Sequence, residues 1–91
     1  MSDKNKQALG ALAMDLKRVA LFYHRGSDKT AERFFQEALE RKNEVETKTL
    51  KPYLVNCLQN VSRLRRGKDK SKIAEDALMY STLFQNAAIS K

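Results

Sequence analysis

The residues in this chain that could do chemistry are few and unevenly placed. Arg63, Arg65, Arg66, Lys68, Lys70 and Lys72 put six cations within ten residues, opposed there only by Asp69. Net charge by segment is +3 for residues 1–26, −2 for 27–46, +7 for 48–72 and −1 for 73–91, so one segment carries an excess equal to the +7 of the whole chain. Clustered guanidinium and ammonium groups attract an acidic surface or a phosphate backbone by a salt-sensitive force that does not depend on sequence. Cations at a helix C-terminus also complement the macrodipole and keep a protein soluble, but one or two suffice for that.

The other reactive groups point away from catalysis. One histidine and one cysteine make no metal-ligand cluster, and the chain has no phosphate-binding glycine loop. Glu32, Glu37, Glu40, Glu44 and Glu46 lie at spacings that match cations on a helix face, unlike carboxylates in a pocket that drives their pKa values apart. No cofactor is expected, and the chain reads as non-enzymatic. Cys57 falls on an apolar stripe between Leu54 and Val61 and is expected to be a buried thiol. His24, in the run YHRGS, resembles the histidine of a phosphotransfer domain, a distant alternative. Such a histidine sits mid-helix among small neighbours, whereas Gly26 places His24 in a terminal turn beside Tyr23.

Four amphipathic segments must position these groups. In the first, about residues 4–25, Leu9, Leu12, Leu16, Val19 and Tyr23 recur at three-four spacing, with Asp15, Lys17, Arg18 and Arg25 on the opposite, wet side. Gly26 supplies a residue free to take positive φ, and Ser27 or Asp28 a side-chain cap for the next helix. That helix, about 28–46, buries Ala31, Phe34, Phe35, Ala38, Leu39 and Val45, with Arg33/Glu37, Glu37/Arg41 and Lys42/Glu46 able to pair on its wet face. Pro52 is tolerable only in a first turn, so the chain breaks near Thr49 and a third helix spans about 50–66 through Leu50, Leu54, Cys57, Leu58, Val61 and Leu64. The fourth, about 71–88, turns Ile73, Ala77, Tyr80, Phe84 and Ala87 inward.

These segments predict an all-α fold, an antiparallel up-and-down four-helix bundle, with residues 1–91 as one domain. Three glycines and one proline leave little punctuation for a β-rich alternative. The first and third turns then share an end, and Arg25, Lys29 and His24 join the cation run in one basic pole. Where aromatics are adjacent, as at Phe22/Tyr23 and Phe34/Phe35, one of each pair is left at the core margin, a candidate partner or homodimer surface. The expected partner is an acidic protein surface, with nucleic acid as the alternative. No helix-turn-helix leads into a polar recognition helix, which argues against sequence-specific DNA reading. The N-terminal stretch has no signal-peptide order, and Asp15, Lys17 and Arg18 interrupt the best apolar run, so a cytoplasmic protein without membrane contact is expected.

The stretches RVALFYHRGSDKTAERFFQEALERK and EDALMYSTLFQNAA resemble a family of short helical proteins from filamentous cyanobacteria, some of them associated with negative regulation of heterocyst differentiation. The resemblance spans about residues 8–89 and rests on these two stretches and the overall texture. It implies a cytoplasmic regulator working through protein contacts, and it carries over no functional residue.

Overall fold

The first apolar stripe becomes the buried face of a helix: Leu9, Leu12, Leu16 and Val19 are fully enclosed. In the computed structural model, which describes residues 2–89, the chain forms α1 (Asp3–His24), α2 (Asp28–Glu44), α3 (Pro52–Leu64) and α4 (Lys70–Ile89). The four pack as an antiparallel up-and-down bundle measuring 36 × 19 × 18 Å, and no strand occurs among the described residues. Buried residues from all four segments form one core cluster. Phe35, Phe84 and Leu58 are its largest contributions from α2, α4 and α3, each worth about 1.5–3 kcal/mol of side-chain burial.

The bundle is not symmetric. The backbone of α1 lies close to both α2 and α4, whereas α3 stands farther from its neighbours and reaches the core through Leu54, Leu58 and Val61. Small residues permit the close seams: Ala8, Ala13 and Ala20 on α1, Ala31 and Ala38 on α2, Ala77 and Ser81 on α4. At the α1/α4 seam the Ser81 hydroxyl donates to the Ala13 carbonyl at 2.7 Å, and a Cβ on Gly10 would lie 3.9 Å from that of Ala88.

The connections follow local chemistry. Gly26 takes φ 80°, and α1 ends in a Schellman pair in which Ser27 N–H donates to Phe22 O at 2.8 Å and Gly26 N–H to Tyr23 O at 3.1 Å. Ser27 occupies the N-cap of α2, but its hydroxyl makes no cap bond, and neither does the Asp28 carboxylate, which faces Lys70 instead. Pro52 opens α3, with Lys51 extended before it as a pre-proline residue must be.

Several expectations are corrected. Helix α2 ends at Glu44, two residues early, because Val45 turns extended to bury its side chain and the Glu46 backbone bonds to Asn5. Helix α3 begins at Pro52 and ends at Leu64, while Leu50 is buried from the preceding turn. Asp15 is not on the wet side: it is 4% exposed, between α1 and α2. Cys57 is only half-buried, since α3 stands back from its neighbours, and Tyr80 and Ala87 are half-buried where Ser81 takes the interior position. Among the described residues the pairs Arg33/Glu37, Glu37/Arg41 and Lys42/Glu46 do not form. Arg41 instead reaches Asp15 at 3.9 Å and Glu44 at 3.5 Å, drawn by a buried carboxylate that needs a counter-charge.

Candidate functional site

The end of the bundle that gathers the C-termini of α1 and α3 and the N-termini of α2 and α4 carries the cation run. Its residues are tied across helices: Lys70 at the start of α4 pairs with Asp28 at the start of α2, and Arg65 donates to the Gln36 side chain at 3.2 Å. The hydrogen bond that the Lys70 ammonium donates to the Asp28 carboxylate, and that carboxylate's charge, hold the Lys70 pKa above its ordinary value. Tyr23 lies half-buried within this end. Burial first, then the charges of Glu32 and Asp28, push its phenol above the usual value, so it stays neutral.

The eight cations expected at this pole are all exposed, but they divide into two groups. Lys70 is matched by Asp28, and Lys72 by Asp76 at 3.2 Å, one turn along α4. Among the described residues Arg25, Lys29, Arg63, Arg65, Arg66 and Lys68 make no ion pair. The single acid within the run, Asp69, is committed locally: its Oδ1 accepts from the Ser71 and Lys72 amides at 3.0 and 3.3 Å and so caps α4. Arg63 and Lys68 border a shallow depression of about 330 Å³ between α3 and α4, floored by Leu64, Gly67 and Ile73. A Cβ on Gly67 would come within 3.1 Å of Ile73 Cγ1 and 3.3 Å of the Leu64 carbonyl, so a larger residue fits there only if Ile73 gives by a few tenths of an ångström.

The marginal aromatics run up to this pole along α1 and α2. Phe22 and Phe34 are half-buried and stack at 5.5 Å with an interplanar angle of 10°. Arg18 covers the outer face of the pair over Phe34 at 5.4 Å, and Arg25 lies 6.0 Å from the Phe22 ring. Arg18 also bonds Asp15 at 3.3 Å, so the column begins at a buried carboxylate and ends at the basic pole. Burial, reinforced by Glu37, raises the Asp15 pKa against the lowering effect of Arg18 and Arg41.

His24 is the last residue of α1 and is exposed, as a terminal-turn histidine should be. Burial pushes the Cys57 thiol up, which disfavours the reactive thiolate even though the side chain is partly accessible. The commitment of Asp69 was readable as an acid directly before a helix. The Phe22–Phe34 stack was not, because it needs the pairing of two helices.

Compared with known protein families, with curated proteins and with solved structures, the chain matches none. Among the described residues no group of three or more His, Cys, Asp and Glu side chains could hold a metal ion, and no helix is long and apolar enough to cross a membrane.

Proposed function

We propose that this chain is a non-enzymatic regulatory protein that docks an acidic surface of a protein partner on its basic pole. The observation that supports this is the imbalance at that end: six exposed cations without a carboxylate partner among the described residues, beside two that are matched. Such a surface steers an acidic partner and sets on-rate and specificity. The half-buried Phe22–Phe34 pair adds an apolar margin on one side. The resemblance to heterocyst-associated proteins supplies the context, a cytoplasmic negative regulator of heterocyst differentiation in a filamentous cyanobacterium.

A phosphate backbone is the competing ligand, because Arg63, Arg65, Arg66 and Lys68 crowd one turn. Against it, Asp28, Asp69 and Asp76 are interleaved with the cations, and the start of α4 presents a carboxylate where a groove-reading helix would present donors. Affinity capture from cyanobacterial cytoplasm at low and high salt tests the reading. Retention of one acidic protein, lost as salt rises, supports it. A tight complex at physiological salt that discriminates one DNA duplex from others overturns it.

A further inference from the structure

The seam between α3 and α4 does not close at the basic pole. Where α1 meets α4, Ala13, Ala77 and Ser81 bring the backbones together, whereas α3 stands back and leaves the depression of about 330 Å³ beside the cation run. Its floor is apolar: Leu64 is half-buried, Ile73 is 6% exposed, and Gly67 adds no side chain to them. One wall is firm, because the Tyr80 ring stacks on the fully buried Phe84 at 6.3 Å. The volume lies at the low end of the roughly 300–1,000 Å³ of ligand pockets, which is room for one large side chain of a partner.

The charged groups that line the depression divide into committed and free. Asp76 is paired with Lys72 at 3.2 Å, and Asp69 accepts from the Ser71 and Lys72 amides. Arg63 and Lys68 are exposed and make no ion pair among the described residues. An anion seated on the floor would lie against Leu64 and Ile73, whose side chains offer it no donor, and would share the depression with two carboxylates that repel it. An apolar side chain meets neither objection. Carboxylates next to it in the same segment would stay outside, within reach of the two free cations.

We propose that this depression seats a large apolar side chain of an acidic protein segment, whose flanking carboxylates pair with Arg63 and Lys68. The seat rests on the pole being a dock for an acidic partner, and it adds a contact that distinguishes one acidic segment from another. Charge steers many acidic surfaces to the pole, whereas a few anchors packed in pockets carry most of the energy of a specific interface. The Phe22–Phe34 pair is a poorer seat, because each ring already covers a face of the other and Arg18 lies over Phe34.

The test uses the full chain and two Glu-rich peptides that differ at one residue, Phe in one and Ala in the other. The Phe peptide should bind about tenfold more tightly. Tenfold corresponds to ~1.4 kcal/mol, which ~55 Å² of apolar surface taken from water supplies, well below the ~150–250 Å² an aromatic side chain can bury. Gly67→Ala, which sets a methyl group against Ile73 on the floor, should erase most of that preference and leave binding of the Ala peptide unchanged. If that variant folds poorly, backbone amide signals of the native chain decide: the Phe peptide should move those of Gly67 and Ile73 further than the Ala peptide does. Two peptides bound equally, and both released by combining Arg63→Gln, Arg65→Gln, Arg66→Gln and Lys68→Gln, would leave the pole as a dock and overturn the anchor. A Phe preference untouched by a folded Gly67→Ala chain, or carried by signals at Phe22 and Phe34, overturns it too. So does inorganic phosphate that moves the Ile73 signal as far as the Phe peptide, since the floor would then hold an anion. Binding of neither peptide removes the dock and the anchor together.

Discussion

At the end of the bundle where α1 begins, Asn5 is 4% exposed and uses both halves of its amide: its Nδ2 donates to Glu46 O at 3.0 Å and its Oδ1 accepts from Glu46 N–H at 2.8 Å. The Ser2 hydroxyl caps the same turn. At the other end Arg25, Lys29, Arg63, Arg65, Arg66 and Lys68 have no carboxylate partner among the described residues, while Asp28, Asp76 and Asp69 are engaged by Lys70, by Lys72 and by the α4 amides. Polar groups at the first end close the fold. Those at the second are left over from it, and they teach where to look for a partner.

Four variants can break or sharpen this contrast. The largest effect is expected from Arg63→Gln, Arg65→Gln, Arg66→Gln and Lys68→Gln combined. Partner capture should fall about tenfold or more while thermal stability stays level or rises slightly, because mutual repulsion is relieved. Binding assays and melting curves read the two separately, and full binding by a folded variant would make the pole mere solvated surface. At the opposite end Asn5→Ala should do the reverse. It removes both bonds of a buried amide and should cost about 1–3 kcal/mol in denaturant unfolding, with partner capture unchanged in the folded fraction.

Asp15 gives a subtler test. Its folded-state pKa is raised above 3.8, by burial first and then by Glu37. The folded chain therefore holds this proton more tightly than the unfolded one, so the stabilising contribution is complete below about pH 4 and is lost as pH rises through the folded value. Asp15→Asn should melt higher than the native chain near neutral pH, and the gap should close on acidification. A gap that instead widens at low pH would mean that Arg18 and Arg41 outweigh burial. The smallest effect belongs to Lys70→Gln. Its pairing with Asp28 is exposed, and loss of such a pair should leave the melting temperature nearly unchanged.

Much of this was legible in the chain because it follows from period and local chemistry. The three-four stripes mark the helices, Gly26 and Pro52 mark two of their boundaries, and short connections bring the first and third turns to one end. The interior polar residues were not legible by hydrophobicity. Asp15 continues the stripe of Ala8, Leu12, Val19 and Phe22, and Ser81 lies between Ala77 and Phe84 on the face of α4 that meets α1. Read by period alone, both belong inside. Their partners, Arg41 on α2 and the Ala13 carbonyl, exist only once the helices have met. The same applies to Cys57, whose stripe is apolar but whose helix stands back from its neighbours.

The bond between Asn5 and Glu46 also turns one amide into a gauge. Glu46 lies on an exposed residue outside any helix, where a backbone proton ordinarily trades with water in moments. Here that proton is held by a side chain 41 residues away, and it can leave only when α1 and the end of α2 part. Its exchange with deuterium would therefore clock the opening of the α1/α2 hairpin, at a site far from the basic pole and free of whatever binds there.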